Sequence, residues 1–277
     1  MSTHHKNQFP ILDWDQAYDN RGYVPNVEDL IANLPIEAAE YRSKTISKLD
    51  VPYGPSERMV YDIFLPDSVP KGLVVFVHGG YWHRTSKSVW SHLAEGAVNR
   101  GWAVCMPSYE LCPDVTINEI TQMIGQAINQ VAKEIEGPII LSGHSAGGHL
   151  VCEMMSESSP LEESVRSRLQ KVVSISGLSD LRPLLNTKMN EVLALDLISA
   201  SAASPALKRP YQNIPLVAWV GGAERSEFLR QNALIANMWY GLGVNITIVE
   251  EPDKNHFNVV DGLRDPNSPL IDTLLAT

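Results

Sequence analysis

The stretch Gly143-His144-Ser145-Ala146-Gly147-Gly148 directly follows the apolar run Pro138 to Leu141 and leads into an apolar stretch through Leu150, Val151 and Met154. Few folds accept a G-x-S-x-G segment between a strand and a helix. A strand that turns at once into a helix through a serine strains that serine's backbone, and glycines two residues to either side let the two elements pass. The turn lifts the hydroxyl above the sheet and aims the next backbone N–H at any oxyanion forming there. Gly and Ser are common in loops, so the pentapeptide alone is a weak signal. The strand before it and the helix after it make it a nucleophile elbow in a parallel, helix-covered sheet.

The rest of the chain supplies that sheet. Met59 to Leu65 is β-rich and ends at Pro66, as an outer strand would. Leu73 to Val77 is continuously apolar, the pattern of a strand buried on both faces. A helix is expected from a cap at Ser86 or Ser88 to Gly101, then a strand over Trp102 to Met106. Thr116-Ile117-Asn118-Glu119 has the capping-box form and opens a helix with Ile117, Ile120, Ile124, Ile128, Val131 and Ile135 at helical spacing. Strands over Ile139 to Leu141, Lys171 to Ile175, Leu216 to Val220 and Val244 to Val249 follow, with a helix from about Ser226 to Tyr240. Strands alternating with helices predict an α/β fold with a mainly parallel central sheet covered on both faces. Residues 1 to 50 carry Trp14, Tyr18, Tyr23 and Tyr41 among charges, with no strand-like run. They are expected as short helices and loops forming a small N-terminal cap. The region 181–210 is longer than a simple crossover and is expected to insert helices near the site, all within one domain spanning 1–277.

Composition narrows the partners. A hydrophobic content of 44% with 19% charged residues is that of an ordinary globular protein. The formal charge of −10 argues against nucleic acid and anionic membranes as partners. No apolar run approaches the roughly 18–20 residues of a membrane span, and Met1 to Pro10 is polar, without a signal-type apolar core. Cys105, Cys112 and Cys152 are odd in number and lack metal-type spacing, which favours reduced thiols in a cytoplasm. A small-molecule substrate is the expected partner, no cofactor or metal is called for, and a homo-oligomer stays open.

Three further parts of a hydrolytic site lie at suitable places. His78-Gly79-Gly80-Tyr81-Trp82 leaves the end of the buried strand, 65 residues (145 − 80) before the serine. Backbone amides reach a substrate oxygen only where no side chain intervenes, so paired glycines at a strand end suit an oxyanion hole. Its donors would be the N–H groups of Gly79, Gly80 and Tyr81 together with Ala146, while His78 shapes the loop. A plain Gly-Gly turn is the structural alternative. Trp82 and Tyr109 are candidate walls of a substrate pocket, although aromatic residues are more often core.

Eight histidines compete for the role of base. His4 and His5 are terminal; His78, His83 and His92 precede the nucleophile; His144 and His149 sit too close to it in sequence to swing onto it. His256 alone follows the last strand, where the order Ser…Asp/Glu…His places the base. For the acid, Glu224 lies in the loop after Leu216 to Val220, 32 residues (256 − 224) before His256. Asp180, one strand earlier, is the rival. The ordering rule favours Glu224.

With these residues in hand, the chain resembles the α/β-hydrolase form of arylformamidase (kynurenine formamidase), within the hormone-sensitive-lipase-like esterases. The likeness runs from Val51-Pro52-Tyr53-Gly54 and Asp62-Ile63-Phe64-Leu65-Pro66 through His78-Gly79-Gly80-Tyr81-Trp82, Tyr109-Glu110-Leu111-Cys112-Pro113 and the elbow to His256-Phe257. It departs at the acid, where the family usually has Asp and this chain has Glu224, one methylene longer. The resemblance implies a cytosolic, cofactor-free serine hydrolase that releases formate from N-formylkynurenine or a related aryl formamide. A zinc enzyme is excluded by the absence of H-x-x-x-D and H-E-x-x-H spacings. Two alternatives remain: a carboxylesterase for short acyl esters using the same residues, and a non-catalytic binding module on a hydrolase scaffold. Acyl-chain preference separates the first from a formamidase, and fluorophosphonate labelling of Ser145 separates the second.

Overall fold

The computed structural model of the chain describes residues 13–276. Its strands are β1 (Ser47–Pro52), β2 (Val60–Phe64), β3 (Leu73–Val77), β4 (Ala103–Pro107), β5 (Ile139–His144), β6 (Leu169–Ile175), β7 (Leu216–Gly221) and β8 (Ile246–Glu251). They form one sheet in the order β1-β2-β4-β3-β5-β6-β7-β8. The β1–β2 and β2–β4 pairs are antiparallel, and every pair from β4 to β8 is parallel. The helices are α1 (Trp14–Tyr18), α2 (Val27–Lys44), α3 (Glu95–Asn99), α4 (Ile117–Val131), α5 (Ala146–Met154), α6 (Glu163–Arg166), α7 (Asn190–Leu193), α8 (Leu197–Ala202), α9 (Ser226–Trp239) and α10 (Pro269–Leu275). No helix among the described residues is long and apolar enough to cross a membrane.

Strand β3 shows why the run Leu73 to Val77 is apolar throughout. Alternate side chains of a strand point to opposite faces, and here each face meets its own core. Leu73, Val75 and Val77 pack with Ile117, Ile120, Ile124 and Ile128 of α4. Val74 and Phe76 pack with Trp90, Leu93, Ala97 and the α10 residues Leu270, Ile271 and Leu274. The α4 helix starts where the capping box placed it: Thr116 Oγ1 accepts from the Glu119 N–H, and Glu119 accepts from the Thr116 N–H at 2.7 Å.

Two expectations fail. The first concerns residues 1–50, which contain an 18-residue helix, α2, and a strand, β1, rather than short helices and loops. Pro35 inside α2 removes a backbone donor and disguises the helix. β1 lies at the sheet edge with Lys48, Leu49 and Asp50 exposed, so it has no apolar alternation to detect. It also covers β2, which is therefore not the outer strand. The second concerns the single helix from Ser86 or Ser88 to Gly101. That segment is two 3-10 turns, Lys87–Val89 and Ser91–Ala94, followed by α3. Its start is tethered. The Lys87 N–H donates to Ser108 Oγ at 3.0 Å, and its buried ammonium lies 2.7 Å from Asp62 and 2.6 Å from Asp50. Ser86 makes no side-chain cap.

Candidate active site

Five adjacent parallel strands, β3, β5, β6, β7 and β8, end on one edge of the sheet. Ligands of open α/β sheets bind beyond the carboxyl ends of the strands, and the loops leaving this edge bring most of the candidate residues together.

Ser145 sits between β5 and α5 with φ 56° and ψ −118°. Such a conformation costs a non-glycine residue on the order of 1–3 kcal/mol and persists only where its surroundings enforce it. They do so here through close backbone contact. A Cβ on Gly147 would lie 1.9 Å from the Val77 carbonyl oxygen, and one on Gly143 would lie 2.3 Å from that of Gly147. The start of α5 is thus pressed against the end of β3, and the Ser145 N–H is held by the Ile175 carbonyl of β6 at 2.8 Å.

Gly79 faces the same serine. A Cβ there would meet Ser145 Cβ at 3.0 Å and the His144 carbonyl oxygen at 2.8 Å. The N–H groups of Gly79, Gly80, Tyr81 and Ala146 donate to no acceptor among the described residues. Buried backbone donors are nearly always paired; Gly79 and Ala146 are buried and adjoin the strained serine, so their free N–H groups have the character of an anion cradle. Its shape is fixed from behind. His78 Nδ1 lies 2.8 Å from the Gly79 carbonyl, to which Thr85 Oγ1 also donates at 2.7 Å. Tyr109 donates to the His78 carbonyl at 3.0 Å and stacks on its ring, 4.4 Å between centroids. Arg58 donates to the Tyr109 and Thr85 carbonyls at 2.9 and 2.7 Å. Trp82 packs edge-on against His149 at 5.1 Å. Trp82 and Tyr109, considered as pocket walls, are both fully buried and lie against the loop from within.

On the opposite side, His256 Nδ1 lies 2.6 Å from Glu224 Oε2. The other carboxylate oxygen accepts from Ser176 Oγ at 2.5 Å and from the Gly221 N–H at 2.9 Å. The Glu224 carboxylate is therefore held at both oxygens, and the extra methylene of Glu is accommodated by a loop that turns back onto β7. The His256 ring packs on Phe228 at 4.5 Å and on His144, the residue before the nucleophile, at 4.6 Å. Asp180 does not join this group. Burial alone would raise its carboxyl, but hydrogen bonds from Arg182 outweigh that and hold it below the ordinary range. Both Asp180 oxygens are occupied by the Arg182 guanidinium, at 2.9 and 2.8 Å.

Burial also separates the histidines. It pushes His78 and His92 down to about 4 and His149 down to about 3, and it holds His144 well below the usual range with the charge of His256 adding to the effect. At neutral pH these rings are uncharged and feebly basic. His4 and His5 lie outside the described residues. Ser176, Arg58, Thr85 and Phe228 were not legible as site residues, since each acts by contact across strands rather than through a local motif.

A mainly parallel sheet with a serine elbow, free amides at the neighbouring strand end and a His–carboxylate pair beyond it defines an α/β-hydrolase. The BD-FAE family model matches residues 61–215. Kynurenine formamidases of Salmo salar and Danio rerio are each 30% identical to the chain, over 82% and 84% of it and 80% and 83% of their own lengths. A crystal structure from Silicibacter sp. TM1040, of a protein provisionally named a thioesterase, is 47% identical with a TM-score of 0.89, covering 96% of this chain and all of that one. Esterase B of Lactobacillus rhamnosus shares the fold, with a TM-score of 0.67 at 15% identity and 92% of each chain covered. The chain belongs to the BD-FAE family and to the kynurenine formamidase family.

Proposed function

We propose that the protein hydrolyses a small aryl formamide such as N-formylkynurenine through a formyl-enzyme on Ser145. Ser145 Oγ attacks the formyl carbon while His256 takes its proton, and Glu224 accepts the hydrogen bond from the other ring nitrogen. The carbonyl oxygen becomes an oxyanion held by the N–H groups of Gly79, Gly80, Tyr81 and Ala146. A single donor of this kind is worth about 3–4 kcal/mol of barrier. The C–N bond then breaks, His256 returns the proton to the departing aryl amine, and water attacks the formyl ester by the same route in reverse to release formate. The steps draw only on side chains and backbone. The observation that carries this reading is the pairing of a strained Ser145 against free amides with His256 bonded to a doubly held Glu224. The substrate class follows from the formamidase relatives. Three buried, unpaired cysteines accord with a cytoplasmic setting.

A second reading uses the same residues on short acyl esters or thioesters, and the 47% identity to a protein provisionally named a thioesterase favours it. The experiment that decides is kcat/KM for N-formyl-L-kynurenine beside p-nitrophenyl acetate, p-nitrophenyl butyrate and an acetyl thioester, with Ser145→Ala as blank. A formamide value above the others, lost in the variant by about 10⁶-fold in kcat as for a missing serine nucleophile, supports the formamidase. Ester or thioester turnover without formamide cleavage keeps the site and replaces the substrate.

A further inference from the structure

After Gly80 (φ 115°), the loop beside the nucleophile continues through Tyr81 and Trp82, at φ 50° and 59°. Each of these bulky left-handed residues costs on the order of 1–3 kcal/mol unless neighbours enforce it. Trp82 is enforced by burial and by its carbonyl, which accepts from the Cys112 N–H at 2.9 Å. Tyr81 is enforced from elsewhere. Its hydroxyl donates to the Tyr18 carbonyl at 2.7 Å and accepts from Asn20 Nδ2 at 3.3 Å. A phenol has one proton, so the donation to Tyr18 fixes the Asn20 amide with its nitrogen toward Tyr81.

The partners of Tyr81 are themselves tied to the opposite side of the site. Tyr18 donates to Glu227 at 2.6 Å and meets Phe228 edge-on at 6.1 Å, the same ring that packs on His256. Arg225, next to Glu224, donates to the Asp19 carbonyl at 2.7 Å and lies over the Tyr23 ring at 4.5 Å. Residues 18–23 thus span from the loop carrying the free amides to the loop carrying Glu224.

We infer that Tyr81 is a positioning residue: its hydroxyl, gripped by Tyr18 and Asn20, holds the oxyanion loop in register with the His–Glu pair, making the N-terminal segment part of the catalytic machinery. This rests on the acyl-transfer reading above. The grip acts on donors that matter only once an oxyanion has formed, so its loss shows in kcat and leaves KM in place.

The test is Tyr81→Phe in the full chain, with kcat, KM, Tm and the rate constant for Ser145 phosphonylation by a methyl fluorophosphonate, whose P=O oxygen occupies the same cradle. Both kcat and phosphonylation are expected to fall about tenfold, or about 1.4 kcal/mol, with KM within error of the parent and Tm lower only by the few degrees that one lost hydrogen bond costs. Asn20→Ala, which keeps Tyr81, is expected to fall about threefold, a fraction of a bond worth ~1 kcal/mol. It should add little in the Tyr81→Phe background, because the two share one contact. It also serves if Tyr81→Phe does not fold. Parent-like kcat and phosphonylation in Asn20→Ala and Tyr81→Phe would overturn the inference. So would a loss that vanishes when each variant is assayed well below its own Tm, or one that appears as a rise in KM. Failure of the acyl-transfer reading looks different: Ser145→Ala would keep turnover, or the parent protein would resist phosphonylation.

Discussion

The two halves of the proposed site differ in what holds their innermost residues. On the nucleophile side, side-chain hydrogen bonds support the loop from behind, but Ser145 and Gly79 themselves meet by backbone pressed on backbone, with room for no Cβ at Gly79, Gly143 or Gly147. On the acid side, Glu224 and His256 are fixed by side-chain hydrogen bonds from Ser176, from the Gly221 N–H and between themselves. Steric contact is all-or-none because packed interiors have no slack. Hydrogen-bonded side chains fail one bond at a time. The nucleophile side should therefore break abruptly under minimal substitutions, and the acid side in steps.

The largest expected effect beyond removal of the nucleophile is Glu224→Gln. The amide keeps the shape but cannot accept from Nδ1–H and support the imidazolium in the same way, and losing the orienting carboxylate of a triad costs about 10⁴ in kcat. Steady-state kinetics with an unchanged Tm would check it, and full turnover in this variant would return the search to another acid. Next comes Gly79→Ala. One methyl must displace either the Ser145 elbow or the His144 carbonyl, so at least one oxyanion donor moves out of line, and kcat falls about 10²–10³-fold. A ten-fold or smaller loss would show that the loop yields, and that the contrast between the halves is weaker than the contacts suggest.

Ser176→Ala sharpens the other arm. Glu224 Oε1 loses one of two donors and keeps the Gly221 N–H, so the carboxylate is loosened and not released. A net loss of ~1–1.5 kcal/mol, or about tenfold in kcat, is expected. An effect as large as that of Glu224→Gln would make Ser176 an equal member of the site.

The same contrast governs what the sequence discloses. Backbone contacts demand glycine, so the elbow and the Gly79-Gly80 pair are legible as motifs. The order of strand ends then places His256 and Glu224 without any knowledge of their contacts. Ser176, Arg58 and the Tyr81–Tyr18 link leave no local mark, since a hydroxyl or phenol at a loop position is satisfied equally well by water. In the fold, β3 is legible because both its faces are buried. β1 is not, because an edge strand with three successive exposed residues has no periodicity to display. The tether of Lys87 to Asp62 and Asp50, which breaks the expected helix before α3, joins residues 25 and 37 positions apart.

The smallest effect is on stability and separates the halves by pH. The nucleophile side is lined by buried neutral imidazoles: His78, held at about 4, His149, held at about 3, and His144. In the unfolded chain each titrates near 6.5. Below that pH the unfolded chain takes up protons that the folded one refuses, so stability is full above about 6.5 and falls as the pH drops toward 4, by up to ~1.4 kcal/mol per pH unit for each ring. Urea unfolding at pH 7.5, 6 and 5 measures that slope. His149→Phe keeps an aromatic ring against Trp82, loses the contact of Nε2 with the Ala203 carbonyl at 2.7 Å, and removes one proton from the balance. Its stability at pH 7.5 is expected to fall by ~1–2 kcal/mol for the broken bond and the unpaired carbonyl. Its slope between pH 6 and 5 should be shallower by close to one proton, bringing the two curves together as the pH falls. A slope identical to the parent's would mean that His149 accepts its proton in the folded state, and that the packing beneath the elbow yields to a charge as readily as the acid side yields to a missing bond.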